Sequence, residues 1–343
     1  MKAIVKENPG KGACLKEYPM PVLGEGDVLI KIKAAAICGT DLHIYDWNNW
    51  AQNAGIKLPT VLGHECSGEV VEVGAAVKTL KAGDYVACET HIPCGKCYQC
   101  RNGLQHICAN LVIYGVHTDG CFAEYSKIPE ECAVRIPESI NPNVAAVLEP
   151  LGTAVRACIE IQASGKNVAV IGCGPIGLMA VNAAKALGAA NIIAVDVNSL
   201  RLNIAEGLGA THIINSAEVD SAGRILEVTN GVGVDAFIDA SGNTGAILNG
   251  FKSLRKGGRV ALIGLPSKPL EIDLGPYVVF KEASIVGIHG RRMYETWTAM
   301  SNILDKGLLN IDPIITHVIK LEEYEKGFEI LEKGYGGKVI LVP

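Results

Sequence analysis

The stretch Asn167-Val168-Ala169-Val170-Ile171-Gly172-Cys173-Gly174-Pro175-Ile176-Gly177 indicates the fold of the middle of this chain. A run of apolar residues typical of a buried strand leads into a G-x-G-x-x-G turn, and helical spacing follows. In such a turn the first glycine permits the tight bend and the second lets the backbone approach a pyrophosphate. The third lets the helix pack against the strand. The stretch therefore predicts a dinucleotide-binding unit, with Gly172, Gly174 and Gly177 at the cofactor.

The residue that would select the cofactor follows the next predicted strand. Ile192–Val195 ends in Asp196, whose carboxylate can accept hydrogen bonds from both ribose hydroxyls of NAD. The same charge would repel the 2′-phosphate of NADP, so we predict NAD as the cofactor. The alternative for Asp196 is a capping role before Asn198 and Ser199.

Strand–turn–helix units continue beyond this stretch. The predicted strands are Val168–Ile171, Ile192–Val195, His212–Ile214, Ala236–Asp239, Arg259–Ile263 and Ile285–Gly287, and the predicted helices are Ile176–Leu187, Leu200–Leu208 and Ser221–Thr229. Parallel strands with helical crossovers form an α/β, doubly wound sheet. We therefore predict a β-rich domain at residues 1–150, an NAD-binding domain at 151–290 and a tail at 291–343 that returns to the first domain.

Composition excludes several classes of protein. The chain has 343 residues and a formal net charge of −5, without a run of basic residues, which argues against nucleic acid or an anionic membrane as a partner. Hydrophobic residues at 49% and charged residues at 20% exclude intrinsic disorder. Because Met1–Glu7 reads as a strand and not as a signal peptide, we expect a cytoplasmic protein. In that compartment the 12 cysteines should be thiols or metal ligands.

The four cysteines Cys94, Cys97, Cys100 and Cys108 form the sharpest motif in the chain. Their spacing, C-x₂-C-x₂-C-x₇-C, favours a closed tetrahedral zinc site, which has no open position and is therefore structural. Disulfides, buried thiols or an iron–sulfur cluster are the alternatives.

A second candidate metal site combines Cys38 with the adjacent residues His64 and Glu65. Thiolate and imidazole are ligands that zinc takes in catalytic sites with an open position, and Glu65 could ligate or orient a ligand. Taken singly, a cysteine is more often a small buried residue. Glu149, which precedes Pro150 where the sequence style changes, is either an exposed carboxylate or part of the site.

Together these motifs resemble the zinc-dependent medium-chain dehydrogenases along nearly the whole chain. The order is C-G-T-D-x-H, G-H-E, the four-cysteine motif, G-x-G-x-x-G and its acidic partner. The resemblance implies a GroES-like catalytic domain, built from the N-terminal part and the tail, and an inserted Rossmann domain. It also implies a catalytic zinc held by Cys38, His64 and Glu65, with Glu149 near or on the metal. Thr40 and His43 would form a proton relay.

The resemblance further assigns residues to the cofactor and to the substrate. It places Ile176, Asp196, Arg201, Ile263, Gly264, Leu265, Ile288 and His289 against NAD, and it allows His91 to line the substrate site. It implies two zinc ions per chain and a homotetramer.

Four stretches are most similar to the family members that oxidise L-threonine. They are Asp41–Trp50, Glu89–Gly95, Gly290–Trp297 and Asp312–His317. The alternatives are a polyol or 2,3-butanediol dehydrogenase of the same family, and a non-catalytic NAD-binding or structural protein on the same scaffold.

Overall fold

A computed structural model describes residues 1–334 and 336–343. The chain forms two compact units, one made of Met1–Pro150 with Ile315–Pro343 and the other of Leu151–Ile314. The second boundary thus lies later than the expected change at residue 290. Residues 291–314 belong to the middle unit, where the backbone N–H of Asn310 donates to the side-chain oxygen of Asn182 at 2.9 Å.

The strands and helices follow one another in chain order. The first part of the chain contains β1 (Lys2–Lys6), β2 (Cys14–Glu17), β3 (Asp27–Ile37), α1 (Gly39–Asp46), α2 (Asn49–Asn53), β4 (Thr60–Val61), β5 (Glu65–Val73), β6 (Tyr85–Cys88), β7 (His91–Ile92), α3 (Tyr98–Arg101), β8 (Val112–Ile113), β9 (Tyr125–Pro129), β10 (Ala133–Arg135) and α4 (Pro142–Ala146). The middle contains α5 (Leu148–Glu160), β11 (Asn167–Ile171), α6 (Pro175–Ala186), β12 (Asn191–Asp196), α7 (Ser199–Leu208), β13 (His212–Asn215), α8 (Ser221–Val228), β14 (Val234–Asp239), α9 (Thr244–Ser253), β15 (Leu254–Leu262), β16 (Ser284–Gly287) and α10 (Glu295–Asp305). The last are β17 (Ile315–Lys320), α11 (Tyr324–Glu332) and β18 (Lys338–Val342).

The middle unit is built on a parallel sheet with the strand order β13-β12-β11-β14-β15-β16. This confirms the predicted doubly wound sheet. The strand order reverses between β11 and β14, and ligands of such sheets bind in the crevice outside the carboxyl ends of the strands at that point. Within the described residues, no helix is both long enough and apolar enough to span a membrane.

The other unit is built mainly from antiparallel strands. Its largest sheet has the order β10-β6-β5-β3-β18-β17, and β9 also pairs with β3. Lys31 and Lys33 on β3 are exposed and alternate with buried Ile30 and Ile32, as in a strand with one face in the core. Because β18 pairs with β3, strands from both segments of this unit form one sheet.

Candidate metal centres and dinucleotide site

The first candidate metal centre forms where β3 ends and β5 begins. Cys38 is the N-cap residue of α1, His64 directly precedes β5, and Glu65 is the first residue of β5. One possible ligand atom from each of Cys38, His64 and Glu65 lies within 4.8 Å of the other two. A thiolate, an imidazole and a carboxylate at this spacing fit a zinc ion with an open coordination position. The structure therefore brings together the three residues that the sequence predicts as ligands.

Asp41 orients two of these three residues. Its Oδ2 accepts a hydrogen bond from the backbone N–H of Cys38 at 2.8 Å, and its Oδ1 lies 3.1 Å from Nδ1 of His64. This contact makes Nδ1–H of His64 a donor and leaves Nε2 as the nitrogen that can bind a metal. Burial alone would lower the pKa of His64, but the charges of Asp41 and Cys38 raise it well above its usual value. The metal-ligand motifs do not predict this role of Asp41, although a capping residue three positions after Cys38 is a local signal.

Glu65 also forms a buried ion pair with Lys338. The Nζ of Lys338 lies 2.6 Å from one carboxylate oxygen of Glu65 and 2.5 Å from the other. Burial alone would lower the pKa of Lys338, but the charge of Glu65 raises it. A carboxylate has about four lone-pair positions, so Glu65 can bind a metal and retain its contact with Lys338. The positive charge of Lys338 then draws electron density away from the Glu65 carboxylate. Because β18 lies far along the chain, no local pattern indicates this pair.

The predicted relay residues lie on α1, the helix that Cys38 caps. Thr40 is partly buried and His43 is exposed. Residues three apart on a helix are neighbours on its surface, so Thr40 and His43 share one side of α1. The Nδ1 atom of His43 lies 2.8 Å from Nδ2 of Asn48. One short helix therefore carries both predicted relay residues and has a candidate ligand as its N-cap residue.

A second group of buried titratable side chains contains Glu89, His91 and Glu149, which offer possible ligand atoms within 4.8 Å of one another. Nδ1 of His91 lies 2.6 Å from Oε1 of Glu89. Burial raises the pKa of Glu65, and the charge of Lys338 opposes this rise. The negative charge of Glu149 raises the pKa of Glu65 further, so Glu149 lies near the first centre. The structure thus places Glu149 beside His91, and it adds Glu89, which is not among the predicted site residues.

The four-cysteine loop folds between β7 and β8. The sulfurs of Cys94, Cys97, Cys100 and Cys108 lie within 4.8 Å of one another, and all are free thiols. Backbone N–H groups of Lys96 and Cys97 donate to Cys94 and lower its pKa to about 6, whereas burial and the neighbouring thiols raise the pKa of Cys100 to about 12. Four sulfurs at this spacing with amide donors around them fit a closed zinc site.

The predicted dinucleotide turn connects β11 to α6. Gly172 has a φ of +89°, and a Cβ atom at Gly177 would lie 1.7 Å from the carbonyl oxygen of Gly172. A Cβ at Gly174 would enter open space, where a phosphate can approach the helix N-terminus. The carboxylate of Asp196 accepts the N–H groups of Cys173 at 2.5 Å and of Asn198 at 2.8 Å. Gly172 and Asp196 line a cavity of about 370 Å³.

A second cavity, of about 530 Å³, lies at the carboxyl ends of β15 and β16. The predicted cofactor residues that line it are Ile263, Gly264, Leu265, Ile288 and His289. Ile176 and Arg201 lie in the first turns of α6 and α7, which follow the β11 and β12 ends of the sheet. Position at the carboxyl ends of the sheet is what a bound dinucleotide requires.

Two family models match the chain. Residues 24–138 match the alcohol dehydrogenase GroES-like domain, and residues 175–306 match the zinc-binding dehydrogenase domain. The L-threonine 3-dehydrogenase of Bacillus velezensis is 49% identical over 344 residues, covering 100% of this chain and 99% of that relative. The relative of the same name from Pyrococcus horikoshii is 46% identical and covers 100% of this chain and 98% of its own.

A solved structure is also similar over the full length. The 2R,3R-butanediol dehydrogenase of Bacillus subtilis superposes with a TM-score of 0.89 at 30% identity, covering 100% of this chain and 99% of the other. The GroES-like and parallel-sheet architecture is therefore shared with known dehydrogenases. With both domain models matched in chain order, the chain belongs to the zinc-dependent medium-chain dehydrogenase family, whose enzymes use NAD(P) and zinc.

Proposed function

We propose that this enzyme oxidises L-threonine with NAD⁺ to give L-2-amino-3-oxobutanoate, NADH and a proton. The observation that carries the proposal is the convergence of Cys38, His64 and Glu65 within 4.8 Å in a chain whose full-length relatives are named L-threonine 3-dehydrogenase. These relatives are 43–49% identical, whereas the butanediol dehydrogenase is 30% identical. Similarity in sequence therefore favours threonine over a diol.

The residues of the first centre hold and orient the groups that the reaction needs. Bound at Cys38, His64 and Glu65, zinc supplies Lewis acidity that lowers the pKa of an alcohol. Asp41 holds His64 with Nε2 directed for ligation. Thr40 would accept the proton that the substrate hydroxyl loses and give up its own hydroxyl proton toward His43, and exposed His43 would release a proton to water.

The buried carboxylates of Glu89 and Glu149 could bind the amino group of threonine. Glu89 and Glu149 lie beside His91, and all three side chains are buried. A substrate ammonium forms strong hydrogen bonds with a carboxylate, because both partners are charged. A diol has no such group, so this cluster favours an amino alcohol as substrate.

We extend the proposal to the rest of the dehydrogenase. Asp196 favours NAD over NADP, and the two ligand groups account for one catalytic and one structural zinc per chain. The family resemblance supports a homotetramer, and the free cysteines are compatible with the reducing cytoplasm.

The test is the rate of NADH formation from L-threonine, sorbitol and 2,3-butanediol at matched concentrations. We expect the highest rate with threonine, and we expect a chelator to abolish it. Cys38→Ser should abolish turnover, whereas Cys14→Ser, at an exposed position, should not change it. A higher rate with butanediol would transfer the proposal to that substrate, and full activity in the Cys38→Ser variant would refute it.

A further inference from the structure

The turn between α1 and α2 places Asn48 against His43. Trp47 ends α1 in the left-handed conformation with φ 53° and ψ 44°, and Asn48 then begins α2 as its N-cap residue. Nδ2 of Asn48 lies 2.8 Å from Nδ1 of His43. The ring of His43 also lies 5.9 Å from the ring of Trp50, at an angle of 48°. Two neighbours therefore define the orientation of this imidazole.

Capping bonds settle which way the Asn48 amide points. Its Oδ1 accepts the backbone N–H groups of Trp50 at 3.1 Å and of Ala51 at 3.2 Å. The NH₂ group must then be the side that faces His43, and an NH₂ group can only donate. Nδ1 of His43 is consequently the acceptor, and the neutral ring carries its proton on Nε2.

We propose that Asn48 is a positioning residue that fixes the neutral Nε2–H tautomer of His43. The inference rests on the proposed function for its catalytic consequence, because His43 is there the end of the proton relay. It adds a residue that positions the relay and gives the terminal ring of the relay a defined protonation pattern.

The same contact determines what happens when a proton reaches the ring. A proton that bonds to Nδ1 breaks the hydrogen bond from Asn48, since two donors then face each other. Turning the Asn48 amide to offer Oδ1 would break both capping bonds. Loss of the Nδ1 proton restores the original contacts. Asn48 therefore favours the return of the ring to its neutral Nε2–H form.

The first experiment reads the tautomer directly. Long-range ¹H–¹⁵N spectra of the zinc-loaded protein, labelled with ¹⁵N-histidine and recorded without substrate, distinguish a protonated from an unprotonated ring nitrogen. The His43 signals are assigned by their loss in His43→Gln. We expect an unprotonated Nδ1 and a protonated Nε2. Asn48→Asp keeps an N-cap but offers only acceptors, so it should invert the pattern. A native ring protonated on Nδ1, or an unchanged pattern in Asn48→Asp, would overturn the proposal.

The second experiment measures the effect on turnover. Asn48→Asp and Asn48→Ser, which both keep an N-cap residue, should lower kcat about 10-fold and leave the KM for NAD within about twofold. Asn49→Asp is the matched control, because it makes the same charge change at the adjacent exposed position. An equal loss in Asn49→Asp would show that charge, not the contact, is responsible, and would overturn the proposal. An inverted tautomer with unchanged kcat would remove His43 from the proposed relay while supporting the role of Asn48 in fixing the ring.

Discussion

At the scale of single residues, one aspartate is held by hydrogen bonds at the first metal centre and another at the nucleotide turn. Asp41 accepts one backbone N–H and faces His64, and Asp196 accepts two backbone N–H groups at the nucleotide turn. Bonds from backbone amides to a carboxylate are charge-assisted and hold it in one orientation. Each aspartate therefore has a defined position before any ligand binds, which reduces the conformational entropy that binding costs.

Asp196→Ser should weaken NAD binding and relax discrimination against NADP. The variant loses a charged acceptor for the ribose, worth about 1.5–3 kcal/mol, and the repulsion of a 2′-phosphate. We expect the KM for NAD to rise about 10- to 100-fold. Steady-state kinetics with both cofactors measure this, with Asp305→Ser at an exposed position of the same unit as control. Native turnover that is faster with NADP than with NAD would contradict the assignment.

Lys338→Met should destabilise the metal-free protein more than the zinc-loaded protein. Removing the lysine leaves the buried charge of Glu65 unpaired, which costs about 3–5 kcal/mol of the free energy of unfolding without metal. A zinc ion can compensate this charge, so zinc should bind more tightly and the loaded protein should lose less stability. Urea unfolding with and without zinc and chelator competition test this, with Lys338→Arg as the charge-preserving control. Equal destabilisation in both states would contradict it.

At the scale of elements, short loops between strands carry the metal and cofactor groups. Cys97 caps α3 in the four-cysteine loop, because its sulfur accepts the N–H of Cys100 at 3.5 Å. In the middle unit, Nη1 of Arg156 on α5 donates to the carbonyl oxygens of His289 at 3.1 Å and Gly290 at 3.4 Å. The conformation of the four-cysteine loop thus depends on Cys97, and that of the segment at His289 depends on Arg156. Substitution of either residue tests this dependence.

Cys97→Ser should lower zinc content and thermal stability together. Serine can still cap α3, but its hydroxyl is a poor zinc ligand, and the energy of zinc binding is part of what orders the loop. We expect a loss of about one zinc per chain and a lower Tm, measured by elemental analysis and thermal unfolding. Cys14→Ser, with an exposed cysteine, is the control. A lower Tm with unchanged zinc content would argue against a metal role for the loop.

Arg156→Met should weaken NAD binding through the segment that carries His289. The lost hydrogen bonds release the backbone of His289, which lines the cavity at β15 and β16. A charged donor contributes about 1.5–3 kcal/mol, so the Kd for NADH should rise at least about 10-fold. Fluorescence titration measures it. Arg259→Met, which loses a bond to the carbonyl of Glu160 instead, should leave the Kd unchanged. An unchanged Kd in Arg156→Met would show that the segment holds its position without this arginine.

At the scale of the whole molecule, the two units differ in how the chain builds them. Leu151–Ile314 is continuous, whereas the other unit joins the two ends of the chain. In that unit β18 pairs with β3, with Val339 opposite Ile37, and it also carries Lys338 beside Glu65. The last strand therefore contributes both to a sheet and to a candidate metal centre.

Ending the chain at Ile314 should affect the two units differently. The shortened protein loses β17 and β18, so residues 35–37 of β3, which pair with β18, become an unpaired edge with exposed hydrogen-bonding groups. We expect the first centre to lose zinc and its unit to be cleaved readily by protease, while NADH still binds to the continuous unit. Zinc analysis, limited proteolysis and NADH titration test these outcomes. Retention of zinc at the first centre would contradict the role of β18.

The parts that sequence predicts well are those made by neighbours in the chain. The parallel sheet follows from local periodicity, and the turn from Gly172 to Gly177 is a single connection between β11 and α6. The cysteines from Cys94 to Cys108 lie in one loop, so their spacing restricts how they can meet. Chain connectivity limits these residues to few arrangements, which is why a motif suffices to recognise them.

Tertiary structure decided the contacts between distant segments. Lys338 meets Glu65 only because β18 pairs with β3, and Glu149 joins Glu89 and His91 from another part of the chain. The assignment of residues 291–314 to the middle unit likewise depends on packing such as the contact of Asn310 with Asn182. Such contacts form because strands and helices bury their apolar faces together, and the partner that results is a property of the whole fold. By itself, the sequence determined the sheet, the nucleotide turn and the chemical types of the candidate ligands, while packing alone determined which buried charges lie opposite one another.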